Sequence, residues 1–299
     1  MQRVRRVVAG YDTAGVIGHG VTAAVLDTGI AAHPDLNGRV LCFRDFVNRR
    51  NSAYDDSGHG THVCGVLCGD GALSAGKYRG IAPGANLVVG KVLDEKGDGI
   101  TEHMLEGMDW VLQIKNRYRI RILNISVGIG SLDRPQMEKA LADKVDQLWE
   151  EGILVVCAAG NKGPLDGTVS AVGGRAVTVG CHDGEYFKDS PGRCELYSGR
   201  GIPGSPIRKP DLVAPGTEII SCNGSFSRMR GRVRNAYIAK SGTSMATPIV
   251  SGAAALAFEK MPALNNEECK QRLQFSAADL GLPWHQQGYG MLNIARLLS

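Results

Sequence analysis

Short stretches of the chain run apolar almost without a break: Val21 to Leu26, Leu87 to Leu93, Ile122 to Val127, Ile153 to Ala159, Ala176 to Gly180 and Asp211 to Ala214. Runs that are apolar at successive positions fit strands buried on both faces. Between them the period changes. Thr101 to Tyr118 places Met104, Leu105, Met108, Val111 and Leu112 on one helical face, and Met137 to Glu151 does the same with Ala140, Leu141, Val145 and Leu148. His59 to Gly69, Thr243 to Lys260 and Asn266 to Ser276 are further predicted helices, the first two rich in small apolar residues. Strands alternating with helices predict an α/β fold with a mostly parallel central sheet and helices on both faces. Ligands of such sheets bind beyond the carboxyl ends of the strands. Asp27, Ser126 and Asn161 all lie at such ends. No internal repeat or low-complexity linker interrupts the pattern, and Ser190 to Pro210 reads as a long surface loop.

The segment Ser241-Gly242-Thr243-Ser244-Met245-Ala246-Thr247-Pro248 leads into the apolar run from Ile249 to Phe258, so Ser244 sits where a turn becomes a helix. Gly242 permits the tight bend, and Pro248 is expected near the first turn, where a missing N–H costs little. A lone serine there is ordinarily an N-cap. It becomes a nucleophile only with a base in reach. His59, in Gly58-His59-Gly60-Thr61-His62-Val63, is the candidate base, and Asp27, ending Val25-Leu26-Asp27, the candidate to orient it. Taken singly, Asp27 reads equally as a turn residue and His59 as a helix-start histidine. His59 and His62 also have the spacing of a shared metal, but no third zinc-type ligand is near and no His-Glu-x-x-His pattern occurs. No metal site is assigned.

Composition narrows the field. With 299 residues, 43% of them hydrophobic, the chain supports a large core, and a net charge of +4 without a long basic block does not suggest nucleic acid. No run reaches a membrane span, and no apolar signal core follows the basic start Met1 to Arg6. The eight cysteines are even in number, yet Cys64, Cys68 and Cys157 fall inside apolar patterns, as core residues do. A cytoplasmic location is expected on these grounds, with a trimmed secreted protein as the alternative. Gly71-Ala72-Leu73-Ser74-Ala75-Gly76-Lys77-Tyr78 nearly matches a phosphate-binding loop but ends in Tyr78 where Ser or Thr should hold magnesium, and it follows a helix rather than a strand.

The order Asp27…His59…Ser244, together with Asn161 in Ala158-Ala159-Gly160-Asn161, closely resembles the subtilase family of serine peptidases, from about Tyr11 to Leu298 and most nearly its intracellular bacterial branch. The resemblance implies a doubly wound, subtilisin-like fold, with residues 1–20 as an N-terminal extension and residues 21–299 as a single peptidase domain. It implies a serine endopeptidase of broad specificity, acting on proteins or peptides through an acyl-enzyme. Asp27, His59 and Ser244 would be catalytic, with His62 structural. The Asn161 amide and the Ser244 N–H would form the oxyanion hole. Gly97, Asp98 and Gly99 on one side and Ser126, Val127 and Gly128 on the other would hold the substrate as an added strand. Ala158, Ala159 and Gly160, with Thr168 to Ser170, would line the first specificity pocket, with Lys162 at its rim. A small apolar wall favours a hydrophobic P1 residue. Catalysis would need no cofactor; calcium is not readable, since Asp70 is the sole carboxylate near the loop where secreted relatives bind it. Those relatives carry a prodomain, for which some twenty residues before the first strand are too few. Oligomeric state is not legible. The competing class is a catalytically silent subtilase-like binding or assembly protein, although no triad residue is missing. An α/β-hydrolase esterase would need Gly-x-Ser-x-Gly and the order Ser…Asp…His.

Overall fold

The structure is a computed structural model that describes residues 1–9, 15–127, 135–170, 174–186, 192–229 and 232–299. Its elements follow in the order α1 (Gln2–Val7), β1 (Thr22–Asp27), β2 (Val40–Asp45), α2 (His59–Cys68), β3 (Asn86–Lys91), α3 (Thr101–Tyr118), β4 (Ile120–Ile125), α4 (Pro135–Glu150), β5 (Leu154–Ala158), β6 (Val177–Cys181) and β7 (Leu212–Ala214). After these come β8 (Ile219–Cys222), β9 (Ser227–Met229), β10 (Arg232–Arg234), β11 (Tyr237–Lys240), α5 (Thr243–Lys260) and α6 (Asn266–Phe275).

The first seven strands form one parallel sheet in the order β2-β3-β1-β4-β5-β6-β7. Strand β1 shows why its sequence runs apolar throughout. Side chains alternate between faces along a strand. Ala23 and Val25 enter the core shared with α2 and α5, while Ala24 and Leu26 enter the one shared with α3 and α4. Both faces are thus covered, as expected for a doubly wound sheet. Helix α3 turns Met104, Met108 and Val111 inward, and α4 turns Leu141, Val145 and Leu148 inward.

Strand β2 was not legible from the pattern. It is an edge strand with half-exposed positions, and its apolar stretch, Val40 to Phe43, is short and runs straight into Arg44 and Asp45. The antiparallel pairs β8–β11 and β9–β10 are likewise short and partly polar. The N-terminal segment is ordered against the core: Met1, Val4 and Val8 are buried, and the Ile294 N–H donates to the Val8 carbonyl at 2.8 Å. Cys181 and Cys194 form a disulfide, and the other six cysteines are free.

Helix α5 is apolar all round and buried from Met245 to Phe258, packed against α2 and against β4 to β7. An all-apolar helix has no face to offer water and belongs in an interior. Pro248 lies inside α5 rather than in its first turn, so it forfeits the hydrogen bond an N–H there would make to the Ser244 carbonyl.

Candidate active site

Asp27 ends β1 at the carboxyl edge of the sheet and is fully buried. His59 opens α2, whose first turn packs beside that edge. His59 Nδ1 lies 2.7 Å from Asp27 Oδ1. The same oxygen accepts the Thr28 N–H at 2.7 Å, while Asp27 Oδ2 is buried with no hydrogen-bond partner among the described residues. Burial alone would push the imidazole pKa down. The charge and the hydrogen bond of Asp27 outweigh that and hold it above the ordinary histidine value. His62, one turn further on, is different: burial drives its pKa down to about 3, and its Nε2 lies 2.9 Å from the Ile219 carbonyl and 3.2 Å from that of Ile238. It is a neutral core residue that ties α2 to β8 and β11.

Two residues missed in the sequence hold this pair in place. Asp55 gathers the first turn of α2: its carboxylate accepts the N–H groups of Ser57, Gly58 and Thr61 and the hydroxyls of Thr28 and Thr61. An aspartate just ahead of a predicted helix is a capping signal that would have found it. The Thr28 hydroxyl in turn accepts the Gly60 N–H at 2.9 Å, stitching the end of β1 to the start of α2. Lys91 ends β3 directly opposite Asp27 in the ladder. It is fully buried, and its ammonium donates to the carbonyls of Thr28 and Leu93 and pairs with Asp56 at 2.6 Å. A lone cation closing an otherwise apolar strand was the available signal. A buried charge must be paired or fully hydrogen-bonded to be tolerated.

Ser244 is the second residue of α5, half-buried, just after Gly242, whose φ of 140° only glycine adopts readily. The Gly242 N–H donates to the Gly216 carbonyl at 2.9 Å. That strap rests on Asp183, which accepts the N–H groups of Gly216 and Thr217 beside the Cys181–Cys194 disulfide. On the other flank, Asn161 Oδ1 accepts both the N–H and the hydroxyl of Thr243, each at 3.1 Å. Those bonds fix which end of the amide faces the helix start and leave the NH₂ end free to act as a donor. The N–H groups of the first turn of α5 add the positive end of the helix dipole.

The two expected substrate edges differ in exposure. Gly97, Asp98 and Gly99 lie in the turn between β3 and α3, held by Asp94, which accepts the N–H groups of Lys96 and Asp98 at 2.9 Å. Ser126 is buried, its hydroxyl 2.8 Å from Asn124 Nδ2, and Val127 beside it is half-buried. Gly128 lies outside the described residues. Ala158 and Ala159 are buried at the end of β5, and the Ala159 carbonyl accepts the Ser170 N–H at 2.9 Å, which joins the two predicted pocket walls. Gly160 has a φ of 86° and leads directly to Asn161. Lys162 is exposed, and Asp166 pairs with His285 at 3.3 Å.

Among the described residues, two groups of buried side chains have metal-ligand character, His33–Asp35–Cys222 and Cys181–Asp183–Cys194. In the first, both imidazole nitrogens and both carboxylate oxygens are already engaged, by Ala236, Asp35, Leu73 and Tyr237. In the second, the two sulfurs are bonded to each other. Neither donor set is open to an ion. The near phosphate-binding loop forms a short helical turn at Ala72–Ser74 and runs on to β3 rather than into a helix. No helix among the described residues is long and apolar enough to cross a membrane.

Comparison with known proteins agrees with this fold. Residues 18–291 match the subtilase family. The serine protease AprX of Bacillus subtilis (strain 168) is 41% identical over 270 residues, covering 86% of this chain and 61% of that protein, so the chain spans about three fifths of its length. Subtilisin Savinase of Lederbergia lenta is 34% identical over 280 residues, 93% of this chain and 91% of its own. Among solved structures, sphericase superposes with a TM-score of 0.79 at 28% identity, covering 97% of this chain and 96% of its own. The fold, the order of the motifs and these relatives agree that the chain belongs to the subtilase family, Peptidase S8.

Proposed function

We propose that the chain is a serine endopeptidase whose catalytic residues are Asp27, His59 and Ser244. The observation that carries the reading is the 2.7 Å contact of His59 with a fully buried Asp27, at the sheet edge where α5 presents Ser244 beside Asn161. In this reading His59 takes the Ser244 proton as the hydroxyl attacks the scissile carbonyl. Asp27 fixes the tautomer through Nδ1 and stabilises the imidazolium. The oxyanion meets the Asn161 NH₂ and the Ser244 N–H, donors already in place when charge develops. His59 then gives its proton to the leaving amine, and water releases the acyl group by the same steps in reverse.

The turn at Gly97–Gly99 and the stretch just past β4 at Ser126–Val127 are the two backbone edges against which an extended peptide adds as a strand. The small residues at 158–160 leave room for a large apolar P1 side chain. Lys162 at the rim adds a screened positive potential, worth about 0.2–1 kcal/mol at most. Residues 21–299 act as one peptidase domain, and no cofactor takes part in the chemistry.

A fluorophosphonate probe tests the reading. The protein should be labelled once, at Ser244, and Ser244→Ala should remain folded, unlabelled and without peptidase activity. A folded wild-type chain that neither reacts nor cleaves casein would instead be a silent subtilase-like binding protein.

A further inference from the structure

Strand β11 runs into Ser244, ending at Lys240, four residues before it. It pairs with β8, with Lys240 opposite Ile219. The ladder is pinned to the first turn of α2 by His62, whose Nε2 meets the carbonyls of Ile219 and Ile238. The end of β11 therefore lies on the His59 flank of Ser244, whereas Asn161 and the walls at 158–160 and 168–170 lie on the other. His59 hands its proton to the leaving amine, so the half of the peptide that leaves must pass along its flank. Ile238 and Lys240, two apart on a strand, share a face. Ile238 is 40% exposed and Lys240 half-exposed. Among the described residues the Lys240 ammonium forms no ion pair, although its charge is felt at His59. Beyond it, Asn223 N–H to Ala236 carbonyl links the ladder to β9 and β10, whose sequences add Arg228, Arg232 and Arg234.

We propose that Lys240 and Ile238 form the surface that receives the leaving half of the substrate, and that Lys240 selects peptides with an acidic residue immediately after the scissile bond. The inference rests on the peptidase reading and adds a charge preference on the leaving side. A half-exposed ammonium is partly screened, so attraction of Glu and repulsion of Lys together should give a three- to tenfold difference, roughly.

The test uses one acyl half ending in Phe, followed by Glu, Gln or Lys at the first two leaving positions. Rates are expressed per site titrated with fluorophosphonate, so that a partly misfolded variant does not distort them. Wild-type kcat/KM should fall in the order Glu, Gln, Lys, and the spread should shrink in high salt. Lys240→Gln should flatten the order and Lys240→Glu should reverse it. Cleavage of all three peptides with a Glu/Lys ratio that neither substitution moves would overturn this inference alone. Failure to cleave any of them would overturn the peptidase reading with it.

Discussion

Gly60 has no room for a side chain: an added Cβ would collide with the Gly29 carbonyl and sit 3.2 Å from Asp27 Oδ1. The residue beside the candidate base is thus a glycine because the turn just after β1 and the start of α2 approach to backbone contact there. Gly60→Ala should push α2 away from Asp27 and cost about 1–3 kcal/mol of stability, as overpacking does. The His59–Asp27 bond would lengthen with it. We expect kcat to fall by at least about tenfold with KM little changed, since a small misplacement of a catalytic group is costly. Steady-state kinetics with a melting curve would check it; a stable variant of wild-type kcat would contradict the tight-approach argument.

Thr243 is expected to matter through Asn161. Asn161→Ala should lower kcat by about 10²–10³ with a small effect on KM, the size known for loss of one oxyanion donor in subtilisin itself. Thr243→Val keeps the N–H bond to Asn161 and removes the hydroxyl one, so it should give a weaker version of the same signature. Combining the two changes should add nothing to Asn161→Ala, because Thr243 then has no amide to orient. An additive double variant would show that the threonine acts by another route.

In the proposed mechanism the raised pKa of His59 sets the acid limb of the rate profile. Only the neutral imidazole accepts the Ser244 proton, so kcat/KM should rise as pH climbs through an inflection above the ordinary value of about 6.5. Asp27→Asn removes the charge that offsets burial, and the inflection of its residual activity should move down. An unmoved inflection would break the link between Asp27 and the imidazole pKa.

His62 predicts acid lability. Its folded pKa is about 3, far below the unfolded value. As pH falls below about 6.5 the unfolded chain binds a proton that the folded chain refuses, so this group costs about 1.4 kcal/mol of stability per pH unit until pH nears its folded value. Urea midpoints of Ser244→Ala, used to prevent self-digestion, should fall between pH 7 and pH 4. Adding His62→Gln, which keeps a donor for the two carbonyls, should make that fall shallower. An equal slope in both would place the acid lability elsewhere.

The disulfide predicts a thiol count. Alkylation of the denatured protein without reductant should modify six of the eight cysteines, and all eight after reduction. Replacing Cys181 and Cys194 by Ala should lower stability by about 2–4 kcal/mol. Eight modified cysteines without reductant would show that the bridge is absent.

The parts of the fold that could be read in the sequence are those whose burial is complete. Strands β1, β3, β4 and β5 are covered on both faces and so run apolar almost without a break, and α3 and α4 keep a clear inward stripe. Strand β2 and the ribbons β8–β11 and β9–β10 were missed because the apolar stretch of each strand is short and meets polar residues, and β2 and β11 are half-exposed. The candidate site behaved similarly. Asp27, His59, Asn161 and Ser244 sit in short glycine-flanked motifs that backbone geometry demands. Lys91 and Thr243 act through contacts between distant segments, of which spacing carries no record, whereas Asp55 caps the nearby turn of α2 and left a local signal. Pro248 was placed a turn too early because the pattern marks where a helix lies better than where it begins.

The burial of α5 on all sides has a consequence for how the protein would fail. A helix that can shed no face without exposing apolar surface does not open on its own; its amides exchange only when the molecule opens as a whole. Ser244 stands in the first turn of that helix, so the proposed nucleophile shares the global opening free energy rather than that of a loop. The turns at 97–99 and 126–127 carry no such guarantee. Heat would therefore loosen the grip on the substrate first and the nucleophile last, and binding would weaken before the capacity to react with a small probe is lost.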